Sequence, residues 1–305
     1  MGKVAFVFPG QGAQYPGMGR SLCEVSPAAA GVFRMADSLR PGTSSQCFSG
    51  TEEELKETKI TQPCIWAVEM AAAAALNEAG IQADMTAGFS LGELSALSYA
   101  GVVDASTCFE LVCERGRLMQ DAAVAVETSM AAVVKLSHET VEEICTRFEG
   151  VYPVNYNCPG QVTVAGLKSS MADFSAAVKE AKGRALPLKV SGGFHSPFMA
   201  EASAAFGKLL EPVVFKTPAI PLYSNLTGLP YEGDMKHLLE KQICSPVRWE
   251  AIIRQMIAAG VDTFIEVGPG SVLQGLIGKI DKHVRVFGVS DAESLAKTIQ
   301  EVKAC

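Results

Sequence analysis

The chain alternates strand-like and helix-like segments, and that rhythm breaks once, near residue 130, into a different and smaller pattern. Apolar extended runs at 3–8 and 82–89 are each followed by segments with helical periodicity: 18–38 and 62–79 after the first, and Leu91, Leu94, Ala96, Leu97 and Ala100 after the second, with Gly101 closing it. A further helix is predicted over 106–123. Strands alternating with helices call for a largely parallel sheet with helices packed on its faces. From 130 the order becomes strand (130–136), helix (139–148), two strands (152–156 and 161–165) joined by Asn157-Cys158-Pro159-Gly160, helix (170–181) and strand (185–190). That is β-α-β-β-α-β, the ferredoxin-like pattern. We therefore expect an α/β fold with a large subdomain formed by 1–126 and 191–305, and a small ferredoxin-like subdomain inserted at 127–190. In the returning part, helices are predicted at 200–210, 235–243, 249–259 and 272–280, and extended segments at 222–225, 263–267 and 284–289.

At 305 residues, 48% hydrophobic and 19% charged, the chain has ample material for such a core. The only apolar run near the start, Val4–Phe8, is too short for a signal peptide, and no stretch approaches the roughly 18 apolar residues of a membrane span. A cytoplasmic protein without membrane contact is expected. Its nine cysteines are odd in number and form no CxxC pair, so reduced thiols are expected, with no metal site and no disulfides. A net charge of −7 argues against a nucleic-acid partner.

The candidate chemistry starts at Gly88-Phe89-Ser90-Leu91-Gly92, where the second strand meets a helix. A serine flanked by glycines at such a turn sits in a strained backbone that exposes its hydroxyl, and the free N–H groups of the helix start, that of Leu91 among them, can hold a developing oxyanion. A serine hydroxyl needs a general base. Of the four histidines, His138, His237 and His283 are expected at the surface, whereas His195 lies in the loop Gly192-Gly193-Phe194-His195-Ser196-Pro197, as either a catalytic base or a loop cap. In the helix over 106–123, Arg115 falls inside the apolar stripe of Cys108, Leu111, Val112, Leu118, Met119 and Ala122, and Arg117 lies off it. A buried guanidinium requires an anion, either an internal carboxylate or one brought by a substrate, which its planar fork can hold with two parallel hydrogen bonds.

Pro9-Gly10-Gln11-Gly12-Ala13-Gln14, Thr61-Gln62-Pro63, Gly88-Phe89-Ser90-Leu91-Gly92-Glu93, Arg115-Gly116, Asn157-Cys158-Pro159-Gly160-Gln161, Phe194-His195-Ser196 and Glu266-Val267-Gly268-Pro269-Gly270 together resemble the malonyl-CoA:acyl-carrier-protein transacylases of fatty-acid and polyketide synthesis. The resemblance runs over nearly the whole chain and implies an α/β-hydrolase-like large subdomain carrying a ferredoxin-like insert. It implies Ser90 as nucleophile, His195 as base, and Arg115 as the group that binds the malonyl carboxylate. The backbone N–H groups of Gln11 and Leu91 would form the oxyanion hole, and the backbone carbonyl of Gln242 would orient the histidine in place of an acid. Asn157 and Asn225 match polar positions near the site, and Phe194 would crowd the space of an α-methyl branch. Many members of the family have histidine where this chain has Phe89, which bears on acyl preference. The implied substrates are malonyl-CoA, a CoA thioester, and phosphopantetheinylated acyl carrier protein, with no cofactor, in a monomer. Lys182, Arg184, Lys189 and Lys208 are candidates for a basic patch facing an acidic carrier protein. Transfer of another acyl group, a serine thioesterase or esterase, and a non-catalytic scaffold are the alternatives.

Overall fold

The structure, a computed structural model, describes residues 2–190 and 192–303. Among the described residues nine strands form two sheets: β1 (Lys3–Phe8), β2 (Met85–Gly88), β3 (Thr128–Val134), β4 (Val151–Cys158), β5 (Gln161–Leu167), β6 (Arg184–Pro187), β7 (Leu222–Tyr223), β8 (Val261–Val267) and β9 (Arg285–Val289). The first sheet has the order β7-β2-β1-β8-β9 and is parallel throughout. Helices cover both of its faces, so β1 is apolar at nearly every position and does not alternate. Val4, Phe6 and Phe8 pack on one side with Trp66, Leu76, Leu94 and Phe109. Ala5 and Val7 pack on the other with Trp249, Ile253, Phe264 and Leu273.

The second sheet, β4-β5-β3-β6, is antiparallel and contains only strands from the stretch between β2 and β7. Helices His138–Thr146 and Lys168–Glu180 close a separate core around Val133, Val162, Val164 and Phe174. The fold is therefore α/β, a large parallel layer with a small ferredoxin-like subdomain; the expected return point at Ser191 lies outside the described residues. The two sheets are stitched where β4 meets the segment before the helix Trp249–Ala258: Tyr156 N donates to Val247 O and Val247 N to Val154 O, both at 2.9 Å.

Some local expectations change. The region 18–38 holds two helices, Arg20–Val25 and Pro27–Leu39, because the Ser26 hydroxyl accepts from Ala29 N and Pro27 occupies the first position of the second helix. The helix expected at 62–79 begins at Thr58 and runs through Pro63. Helices Thr43–Ser49 and Ala292–Lys303 were not evident from periodicity. His138 is not a surface residue: it is half-buried at the junction of the sheets, with Nε2 3.2 Å from Cys158 O and 3.5 Å from a Glu250 carboxylate oxygen. Among the described residues the eight cysteines are unpaired, no group of three or more His, Cys, Asp or Glu side chains could hold a metal, and no helix is long and apolar enough to cross a membrane.

Candidate active site

The turn after β2 is built by what two glycines leave out. A Cβ on Gly88 would stand 1.8 Å from the carbonyl carbon of Gly92, and one on Gly92 would stand 2.1 Å from Phe8 O. Only hydrogen at both positions lets β2 turn into the helix Gly92–Tyr99 while lying against β1. Ser90 between them has φ +55°, a left-handed conformation that costs a non-glycine residue of order 1–3 kcal/mol and persists only when neighbours enforce it. Two side chains do so. Asn225 Oδ1 accepts from Ser90 N at 2.7 Å, and Gln242 Nε2 donates to Ser90 O at 2.6 Å.

His195 has φ +59° and is only 3% exposed. Its loop is pinned to the start of β3, where Gly193 N donates to Thr128 Oγ1 at 2.7 Å, and is tightened by the Ser196 hydroxyl donating to Gly193 O. His195 Nε2 lies 2.7 Å from Ser90 Oγ and Nδ1 lies 2.9 Å from Gln242 O. A carbonyl can only accept, so Nδ1 carries the proton and the Nε2 lone pair faces the hydroxyl. Burial, and then the positive charge of Arg115, lower the imidazole pKa to about 4. It is neutral at pH 7, as a base must be before it acts.

Arg115 projects from the helix Ala105–Ala125 and is completely buried. Nη1 donates to Gln62 Oε1 at 2.9 Å, and Nη2 to Gln242 Oε1 at 2.8 Å and to Ser90 Oγ at 3.4 Å, while Nε is buried without a partner among the described residues. All these acceptors are neutral. Desolvation pulls the guanidinium down to about 10, with the nearby Glu93 carboxylate opposing that, so it remains charged at neutral pH. A cation held by amide and hydroxyl oxygens beside a serine hydroxyl can pair with an anion that enters there.

A cavity of about 90 Å³ over Ser90 is lined by Gln62, Met119, Phe194 and His195 among others. A second, of about 230 Å³, is lined by Gly10, Asn157, Thr163 and Val272 among others, and shares Gln11, Phe89, Asn155 and Leu188 with the first. Together they run from the cleft between the two sheets down to the hydroxyl.

A family model described as acyl transferase domain matches residues 5–304. The chain belongs to the acyl transferase family. It is 40% identical to malonyl CoA-acyl carrier protein transacylase of Bacillus subtilis (strain 168), over 99% of this chain and 98% of that one. The malonyl CoA-acyl carrier protein transacylase structure from Clostridium perfringens superposes with a TM-score of 0.96 at 35% identity, covering 99% and 98% of the two chains. A malonyl-transacylase solved in complex with its type II PKS acyl-carrier protein gives a TM-score of 0.94 at 34% identity, covering 98% and 99%.

The other expected site residues of this acyl transferase fall into place unevenly. Gln11 sits in the turn after β1, beside the serine turn because Phe8 pairs with Gly88 in the sheet. Among the described residues neither the Gln11 nor the Leu91 backbone N–H donates to a protein acceptor. The Leu91 side chain itself is core. Phe194, 6% exposed, lines the inner cavity, and Phe89 lines both cavities, packed edge-on against Trp249 with ring centroids 5.5 Å apart. Asn157 lines the outer cavity, its Nδ2 donating to Thr163 Oγ1 at 3.0 Å and its Oδ1 buried without a partner. Among the described residues neither Asn225 nor Arg115 is part of the lining of these two cavities; each lies directly behind Ser90. The Asn225 amide is consumed by the turn, donating to Gly88 O at 2.6 Å and accepting from Ser90 N.

Contacts that the sequence does not signal also form here. Gln62 was visible only as part of Thr61-Gln62-Pro63, and its contact with Arg115 has no local signature. Gln242 was expected to act by its backbone alone, yet its side chain touches both Arg115 and Ser90 O.

Proposed function

We propose that this acyl transferase moves a malonyl group from malonyl-CoA, through an ester on Ser90, to the phosphopantetheine thiol of an acyl carrier protein. The observation that carries the reading is Arg115: a fully buried cation, 3.4 Å from Ser90 Oγ, whose bonded acceptors are all neutral. The relatives' names and the solved complex with a carrier protein support the same substrates.

In the first half-reaction the Nε2 of His195 takes the Ser90 proton as Oγ attacks the thioester carbonyl. The backbone N–H groups of Leu91 and Gln11 stabilise the oxyanion, each such donor being worth about 2.7–4 kcal/mol in other enzymes. The C–S bond then breaks, the imidazolium returns its proton to the CoA sulfur, and the malonyl ester remains on Ser90. The carrier thiol enters by the same cleft, His195 takes its proton, and the steps reverse, giving ping-pong kinetics. Arg115 holds the malonyl carboxylate throughout, and Phe194 narrows the space beside the acyl α-carbon. No cofactor enters any of these steps. Residues 127–190 serve as the second wall of the cleft, an inserted subdomain between the two parts of the catalytic layer. The chain works as a cytoplasmic monomer.

A thioesterase would share Ser90 and His195, but it would have no use for a buried arginine 3.4 Å from the serine hydroxyl. Intact-mass and peptide mass spectrometry after mixing with malonyl-CoA alone tests the proposal. One malonyl group should appear on the peptide containing Ser90 and pass to a carrier-protein thiol on addition. Labelling elsewhere, or release of free malonate faster than transfer, overturns it.

A further inference from the structure

Glu93, on the first turn of the helix Gly92–Tyr99, is a fully buried carboxylate that the reaction steps leave unused. One of its oxygens, Oε1, accepts from Asn225 N at 3.0 Å and from the Tyr231 hydroxyl at 2.6 Å. The other, Oε2, is buried and has no partner at hydrogen-bond distance among the described residues, although the Gln242 side chain stands close enough to favour the ionised carboxylate. Asn225 is the residue whose side chain spans the serine turn, from Gly88 O to Ser90 N. Glu93 thus lies behind the turn, anchoring the backbone of the residue whose amide clasps the turn. Tyr231 is also buried, and its N–H bonds Leu222 O, tying the anchor to β7 at the edge of the sheet.

We propose that Glu93 is a positioning residue: through Asn225 and Tyr231 it holds Ser90 in its left-handed conformation and so sets the reach of Oγ to His195. The inference rests on the reading of Ser90 as the nucleophile. The physical case is that φ +55° at a serine relaxes unless its peptide is held, and that one hold, the Asn225 amide, is only as rigid as the backbone carrying it. Both donors converge on the same oxygen of Glu93, so the brace depends on an acceptor at Oε1 and not on negative charge. That separates it from the rival role of counter-ion to Arg115, whose charge acts on this carboxylate.

The experiment compares Glu93→Gln, Glu93→Ala and Asn225→Ala. The readouts are the rate of Ser90 labelling by a fluorophosphonate, and kcat and KM for malonyl-CoA and acetyl-CoA. Displacing a reacting atom by about 1 Å costs roughly 10²-fold in rate. Glu93→Ala and Asn225→Ala should lower labelling and kcat by about that factor, equally for both thioesters and with KM unchanged, while Glu93→Gln, which keeps the acceptor, should stay within about fivefold of wild type. If Glu93→Gln is as slow as Glu93→Ala, or if the loss is confined to malonyl-CoA, charge compensation is the role and the brace is wrong. Wild-type speed in Glu93→Ala also overturns it. Should Glu93→Ala not fold, a slow Asn225→Ala beside a normal Glu93→Gln supports the brace, and a slow Glu93→Gln refutes it. Absence of label on wild-type Ser90 would instead strike the nucleophile assignment itself.

Discussion

Replacing Arg115 by alanine tests how the acyl transferase chooses its acyl group. In the intact site the guanidinium is wholly enclosed and charged at neutral pH, and on the proposed reading a malonyl carboxylate arriving beside Ser90 exchanges water for that cation. Without it the carboxylate is buried and unpaired. Breaking a buried ion pair from one side costs about 3–5 kcal/mol, and each 1.36 kcal/mol is about tenfold in rate, so kcat/KM for malonyl-CoA should fall roughly 10²–10⁴-fold. Acetyl-CoA has no charged tail and escapes this loss. The substitution also strips a donor from Gln62 Oε1 and Gln242 Oε1, each left unsatisfied at about 1–3 kcal/mol, so a thermal melt must accompany the kinetics. The assay is first-turnover CoA release from both thioesters, which divides selectivity from general damage. An equal loss for malonyl and acetyl groups would make Arg115 a structural residue and remove the main support for malonyl transfer.

Because the His195 imidazole is held down to about 4, the rate of Ser90 acylation should be flat from pH 8 to 6 and decline only as pH approaches that value; an inflection near 6.5, where a free imidazole titrates, would contradict the buried neutral base. Removing the Arg115 charge relieves part of the depression, so the acid limb of the Arg115→Ala profile should move to higher pH. Gly92→Ala puts a methyl 2.1 Å from Phe8 O, against backbone that cannot swing aside, and should yield a protein that melts lower and does not label at Ser90; a normal melting curve with normal labelling would refute the steric account of the turn. Charge reversal at the exposed Lys182, Arg184, Lys189 and Lys208 should raise KM for carrier protein at low salt and leave the malonyl-CoA half-reaction untouched, since long-range attraction must offset the repulsion expected from a net charge of −7; an unchanged KM would place the carrier elsewhere.

Much of this protein was legible along the chain because local physics writes itself locally. Strand and helix periods, and the break in rhythm near residue 130, marked a parallel α/β layer and a separate β-α-β-β-α-β unit, and both sheets are present. Arg115 on an apolar stripe is a one-dimensional statement of burial, and the glycines around Ser90 are a one-dimensional statement of a tight turn. The readings that failed depended on a competing local signal or on a distant contact. Ser26 and Pro27 restart a helix within a continuous apolar period, and Pro63 sits inside a helix whose packing outweighs its missing N–H. His138 looks solvated until β4 and the helix Trp249–Ala258 close over it.

By itself the sequence determined which segments become strands and helices, which faces they bury, and which side chains are chemically able to act, because each of those follows from spacing within a few turns of chain. The tertiary structure alone decided who meets whom. Ser90 and His195 are 105 positions apart, and Arg115 and Gln242 are 127 apart; they converge because the helix Ala105–Ala125, the end of the helix Met235–Gln242 and the loop pinned to β3 all close on the turn after β2. The same closure set Asn225 as a clasp on the serine turn and gave Gln242 three bonds at once. Spacing along a chain encodes burial, whereas a hydrogen-bond partner 100 residues away is fixed only when the core has closed and most buried polar atoms find an acceptor or donor in the space that remains.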